Sequence, residues 1–210
     1  MSKPQLYYVR HGETDWNRAG RLQGRCDTSL NARGREQAIC CGEILRAVFA
    51  RNGRGPAALD YIASPLKRAR ETMEGMREPL GLPPREYRLD ARLAEMAFGD
   101  WEGLTLAEVA MRDPEALAAR ERDKWAFVPP NGESYQQLCV RVGEWYESLR
   151  VDSVVAAHGG TARALMVHLG IAPPATAPRL SIEQGVVYVL GPGSMQMFAA
   201  PVAAQAGAAM

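Results

Sequence analysis

The sequence has no charge excess to speak of: 25 Lys and Arg against 24 Asp and Glu leave a net charge of +1 over 210 residues. A polyanion therefore meets no overall attractive field, and nucleic acid is not an expected partner, although a small anion needs only a local basic cluster. Cysteine is sparse as well. Cys26, Cys40, Cys41 and Cys139 have neither CxxC spacing nor a histidine at ligand spacing, which argues against a disulfide scaffold and against a metal site. Cys40 and Cys41 read as small apolar residues on a helix. Long hydrophobic runs are missing, and the opening MSKPQLYYVRHGE lacks the apolar stretch of a secretory signal. No membrane partner and a cytoplasmic location are the expectations. No repeat or low-complexity linker forces a boundary, so residues 1–200 read as one domain and the Ala-rich 201–210 as a loose tail.

A composition of 47% hydrophobic and 23% charged residues suits a packed globular core. Leu6 to Val9 is a short apolar run ending at Arg10, the pattern of a buried strand entering a loop that lasts to about residue 30. A loop that long and that rich in Gly, Asn, Asp and Arg is expected to bind something. Apolar residues then recur at helical spacing from Ala32 to Ala50. Leu59 to Ala63 reads as a second strand, followed by a helix from about Leu66 to Leu80 that stops at Gly81. Thr105 with Glu108 and Ser134 with Gln137 have capping-box spacing, which starts two more helices, the second running to Leu149. Between them, about 100–130 is charged and punctuated by proline, and reads as a helical insertion. Asp152 to Ala157 is a further buried strand before a helix from about Thr161 to Leu169. Val186 to Leu190 and Met195 to Ala199 close the chain as a strand pair. The alternation predicts an α/β fold, three layers with a mostly parallel central sheet between helices.

Three polar clusters each follow a predicted strand: Arg10-His11-Gly12, Ser64 to Arg68, and His158-Gly159-Gly160. Ligands of open α/β sheets sit beyond the carboxyl ends of strands, so these clusters are expected to converge. Together they supply two imidazoles, His11 and His158, and two guanidiniums, Arg10 and Arg68. Guanidinium forks match phosphate oxygens. Fixed positive charge near an imidazole disfavours its protonated form and frees a lone pair for attack on phosphorus, so His11 is the candidate nucleophile. Arg10, Arg68 and His158 would then stabilise the charge on the transferring oxygens, without a metal or other cofactor. His168, near the end of the last predicted helix, reads as structural. Trp16 and Trp101 read as packing residues.

At this point the residues resemble the histidine phosphatase (phosphoglycerate mutase-like) superfamily. LYYVRHGETDWNRAGRLQGRCDTSLNARGREQA looks like that family's opening signature, SPLKRARET its second motif, LAEMAFGDWEG its third, PNGES a fourth and AAHGGTARAL its last. The resemblance spans roughly residues 5 to 190. It implies that His11 is phosphorylated, that Arg10, Arg68 and His158 hold the phosphoryl group, and that Glu95 is the acid/base. It also implies that Thr14 and Asn17 complete or orient the pocket, that Gln23 and Gly24 lie near substrate, and that the Gly159 N–H adds a donor. Without the resemblance, Glu95 would not stand out from Glu102 or Glu108.

The family includes both phosphatases and 2,3-bisphosphoglycerate-dependent mutases. Mutases carry a Lys soon after the third motif and a paired Arg in the insertion, whereas here the stretch reads DWEGLTLAEV and no Arg pair occurs. Gly160 also stands where the mutases' last motif usually has Asn. The resemblance is therefore to the small-molecule phosphatase branch, and implies hydrolysis of a small phosphorylated metabolite through a phosphohistidine. A phosphoglycerate mutase is the alternative, and a non-catalytic phosphate-binding module a distant third. The sequence does not name the substrate and leaves the oligomeric state open, a homodimer included.

Overall fold

A computed structural model describes residues 3–200, so the expected tail at 201–210 lies outside the described residues. A six-stranded sheet runs through the molecule in the order β3-β2-β4-β1-β5-β6. Its strands are β1 (Leu6–Arg10), β2 (Asp60–Ala63), β3 (Arg88–Leu89), β4 (Ser153–Ala157), β5 (Val186–Gly191) and β6 (Ser194–Ala199). β3, β2, β4 and β1 are mutually parallel, and the β5–β6 hairpin adds two antiparallel strands at the far edge. This is the mostly parallel α/β sheet read from the sequence.

Period-two alternation sorts the strand side chains into two cores. Leu6, Tyr8, Val155 and Ala157 face one side and pack on α6 (Tyr135–Ser148) and α7 (Gly159–His168). Tyr7, Val9, Val154 and Ala156 face the other and meet α2 (Ala32–Arg51) and α3 (Lys67–Arg77). Because β1 and β4 are buried on both faces, they read as unbroken apolar runs rather than alternating ones. The side chains predicted to share a face, Tyr135, Leu138, Val142 and Trp145 of α6 and Leu149 just past its end, are all buried.

Three details depart from the sequence reading. The long loop after β1 contains a single helical turn, α1 (Asp15–Arg18), closed by a capping box between Thr14 and Asn17. The helix expected to reach Leu80 ends at Arg77: Glu78 still has helical φ and ψ, but Pro79 offers no N–H to carry the ladder on. β3 is two exposed residues long and has no apolar pattern to betray it. The stretch read as a helical insertion holds α4 (Leu106–Arg112) and α5 (Pro114–Arg122), the first with the expected Thr105–Glu108 capping box. Among the described residues, no helix is long and apolar enough to cross a membrane.

Candidate active site

Strand register places the three polar clusters side by side. Arg10 pairs with Ala157, and Ala63 pairs with Ala156, so β1, β4 and β2 end at one rim. The ladder continues one residue past the strands: the His11 N–H donates to the Ala157 carbonyl at 2.8 Å and the Ser64 N–H to the Ala156 carbonyl at 3.0 Å. Both positions are therefore held by the sheet rather than by loop packing. The His11 and His158 rings lie 5.2 Å apart between centroids, both buried. A cleft of about 130 Å³ beside them is lined by Arg10, His11, Asn17, Gln23, Gly24, Arg68, Glu95 and Gly159. Arg21, Leu22, Phe98 and Arg163 complete its wall. Of the ten residues singled out from sequence, Thr14 alone stands back from the rings and the cleft wall, as the N-cap that orients Asn17.

The hydrogen bonds decide which atoms are free for chemistry. His11 Nδ1 lies 2.8 Å from the Gly12 carbonyl, which can only accept, so Nδ1 carries the proton and Nε2 keeps its lone pair. Asn17 Oδ1 is engaged by the Thr14 N–H and by Gln184 Nε2, each at 3.1 Å, which leaves its NH2 as the free end. Gln23 Oε1 accepts from Thr28 at 2.6 Å, with the same consequence for its amide nitrogen. Arg68 is fully buried and donates to the carbonyls of Cys26 and Gly24, each at 2.7 Å. Gly24 turns that loop at φ +51, a conformation that side-chain-bearing residues rarely adopt. Arg10 donates to the Ile182 carbonyl at 2.7 Å.

Among the described residues, four buried side-chain nitrogens lack a partner, and three of them belong here: Arg10 Nε, Arg68 Nε and His158 Nδ1. Buried polar nitrogens normally find partners, so a cluster of unpaired ones that includes two guanidinium donors is a place suited to an oxyanion. Electrostatics agree with that chemistry. Burial, then the Arg68 and Arg10 charges, hold His11 well below the ordinary histidine value of 6.5. Burial, Arg68, His11 and Arg10 do the same to His158. Both rings are neutral at working pH, and a neutral imidazole is the nucleophilic form.

Glu95 sits at the start of α7. Its carboxylate accepts from the N–H groups of Met96 at 2.9 Å, Gly160 at 3.0 Å and Thr161 at 3.2 Å. A helix N-terminus favours negative charge, which explains the docking. A Cβ at position 160 would meet Glu95 Oε1, so a side chain there requires the carboxylate to shift. The glycine that departs from the mutase motif thus leaves the Glu95 carboxylate free to dock against the backbone here.

Several contributors escaped the sequence reading. Gln184 binds the His11 carbonyl and Asn17 from the far end of the chain, and Ile182 anchors Arg10 through its backbone. Tyr8, read as an apolar strand residue, donates its hydroxyl to the His158 carbonyl at 2.7 Å and accepts from the His158 N–H at 3.0 Å. No local pattern announces any of these. Away from the site, His168 pairs with Glu147 at 3.1 Å and Trp101 stacks on Phe127, structural placements both. Among the described residues, no group of three or more His, Cys, Asp or Glu is arranged to hold a metal ion.

Comparison with known proteins adds the lineage. A glucosyl-3-phosphoglycerate phosphatase of Mycobacterium tuberculosis (strain ATCC 25618 / H37Rv) is 36% identical over 194 residues, covering 86% of this chain and 81% of the relative. A 2,3-bisphosphoglycerate-dependent phosphoglycerate mutase 2 of Gloeobacter violaceus is 31% identical over 185 residues, covering 85% and 81%. The crystal structure of a putative alpha-ribazole-5'-P phosphatase from Escherichia coli superposes with a TM-score of 0.76 at 27% identity, covering 94% of this chain and 95% of that one. The family model of the histidine phosphatase superfamily (branch 1) matches residues 6–199, and the chain belongs to that superfamily.

Proposed function

We propose that this chain hydrolyses phosphomonoesters of small metabolites by passing the phosphoryl group through His11. The observation that carries the reading is the pair of buried imidazoles, both held toward the neutral form, beside unpaired nitrogens of Arg10, Arg68 and His158. His11 Nε2 attacks phosphorus while the bond to the leaving oxygen breaks, and Glu95, which takes up a proton as the anionic substrate enters beside it, gives that oxygen its proton. Water then attacks the phosphohistidine, its proton passes to Glu95, and inorganic phosphate leaves with His11 neutral again. Arg10, Arg68, His158 and the Asn17 amide offset the charge on the three transferring oxygens, the task a metal ion performs in other phosphoryl-transfer sites. Gln23, Gly24 and the Gly159 N–H border the substrate side of the cleft.

Relatives named as phosphatases and as mutases share this nucleophile, so the fate of the phosphohistidine separates the two. Retaining a bisphosphorylated intermediate needs extra cations. Arg21 at the cleft is already tied to Glu108 at 3.0 Å and to the Gly103 carbonyl at 2.7 Å, and the stretch DWEGLTLAEV directly after the third motif's glycine has no Lys. Hydrolysis is therefore favoured. Four free cysteines support a reducing, cytoplasmic setting.

The test is an assay with p-nitrophenyl phosphate in excess EDTA, followed by 3-phosphoglycerate with 2,3-bisphosphoglycerate. EDTA-resistant phosphate release is expected, with little interconversion of phosphoglycerates. Interconversion alone would establish the mutase, and neither activity would leave a binding module. His11→Ala is expected to abolish both turnover and acid-labile labelling; phosphohydrolase activity surviving in that variant would rule out the covalent route.

A further inference from the structure

His158 poses a question of atoms. Its ring is neutral, so it carries one N–H, and the two nitrogens have different surroundings. Nε2 lies 2.7 Å from Ser64 Oγ, while Nδ1 is buried with no partner among the described residues. For His11 the tautomer follows from a backbone carbonyl that can only accept. A hydroxyl can donate or accept, so for His158 the count of satisfied groups must decide.

Ser64 is fully buried at the end of β2, and its Oγ already accepts from the Leu66 N–H at 3.3 Å. Among the described residues its single proton has one hydrogen-bond acceptor, His158 Nε2. In that arrangement the hydroxyl is satisfied both ways, and the only group left over is one donor, Nδ1–H. The reverse arrangement, Nε2–H donating to Oγ, strands the serine proton and leaves a bare lone pair on Nδ1. Two buried groups are then unsatisfied in place of one, which a buried site disfavours. A lone pair on Nδ1 would also repel an oxyanion, whereas Nδ1–H joins the unpaired Arg10 and Arg68 donors around one.

We infer that Ser64 is a positioning residue that fixes His158 as its Nδ1–H tautomer and so turns this ring into a hydrogen-bond donor for the transferring phosphoryl group. The naming of the acceptor rests on the phosphatase reading; the tautomer is a property of the protein without substrate and is measured separately. Ser64 touches neither nucleophile nor leaving group. Its effect runs through His158, where the sheet holds both partners: the Ser64 N–H on the Ala156 carbonyl, and the His158 backbone on the Tyr8 hydroxyl.

The experiment is nitrogen NMR of 15N-histidine-labelled protein near neutral pH, where the lone-pair nitrogen resonates well downfield of the protonated one. The chain has three histidines, so His11→Gln and His168→Gln variants assign the spectrum. The unsubstituted protein is expected to show His158 with Nε2 as the lone-pair nitrogen. In Ser64→Ala that signal is expected to move toward the Nε2–H form, and kcat to fall about tenfold with KM changed less. This is a smaller loss than the about 100-fold or more for deleting a transition-state donor outright. Ser64→Thr keeps a hydroxyl and is expected to retain the tautomer and most of kcat. An Nε2–H signal in the unsubstituted protein overturns the inference, as does a Ser64→Ala protein whose His158 shifts and kcat are unchanged. Absence of any phosphatase turnover would sink the functional reading instead, and the nitrogen shifts would still decide the role of Ser64.

Discussion

Replacing Gly160 by alanine isolates what the docking of Glu95 does. The new Cβ would overlap Glu95 Oε1, the mobile end of a flexible side chain, so the strain is relieved by swinging the carboxylate away. That motion breaks its bonds to the N–H groups of Gly160 and Thr161, at 3.0 and 3.2 Å, and leaves Met96 as the remaining donor. Hydrogen bonds to charged groups contribute about 1.5 to 3 kcal/mol each, but Glu95 is partly exposed and water replaces much of that. Alanine in the first turn of α7 returns up to about 1 kcal/mol of helix propensity. The net change in stability is therefore expected to stay within about 2 kcal/mol of zero, a shift in urea midpoint that is small or absent. Catalysis is expected to respond far more. A displaced acid loses on the order of 100-fold in kcat with an alkyl phosphate, whose alkoxide needs a proton to leave. With p-nitrophenyl phosphate, whose leaving group needs little acid help, the loss is expected to be only a few-fold. Steady-state rates on the two substrates, with denaturation curves on the same preparation, make the test. Equal losses on both substrates, or no loss on either, would refute the role given to Glu95 and the reason given for the glycine.

Arg68→Met removes the donors of the Cys26 and Gly24 carbonyls, and at about 1 to 3 kcal/mol per orphaned group a loss of about 2 to 6 kcal/mol is expected. A melting temperature like that of the unsubstituted protein would show the guanidinium to be dispensable for the loop that carries Gln23. The depressed values of His11 and His158 set a pH dependence. As pH falls through about 6.5 the unfolded chain takes up protons on both residues while the native rings stay neutral, so the unfolded state binds more protons and stability drops. Each ring contributes up to about 1.4 kcal/mol per pH unit, fully present as stability above the unfolded value and lost on acidification. Urea midpoints from pH 8 to 5 are expected to fall, and less steeply in His158→Gln; a slope indifferent to that substitution counts against the buried neutral ring.

Much of the architecture was legible because its signals are local. β1 and β4 announced themselves as short apolar runs cut off by Arg10 and His158, since strands buried on both faces leave no room for polar side chains. The capping boxes at Thr105 and Ser134 marked helix starts through bonds only three residues long. β3 went unseen because two exposed residues carry no period. Pro79 was available as a stop signal and marks the early end of α3. For the site, the histidines and arginines stood out by following strands, whereas Glu95 was distinguished from Glu102 and Glu108 only by family resemblance. In the structure those two carboxylates are engaged elsewhere, Glu102 with the Arg25 and Phe98 N–H groups and Glu108 in its capping box.

By itself, the sequence determined the alternation of strands and helices and which chemistry-bearing residues stand at strand ends, because hydrophobic period and strand termination are written within a few residues. Tertiary structure alone decided which nitrogen of each imidazole is free, where the carboxylate docks, and that Gln184 reaches His11 from 173 positions away. Those outcomes depend on single hydrogen bonds across the sheet rim, such as Ser64 to His158 over 94 positions, and a bond between distant side chains leaves no trace in local pattern.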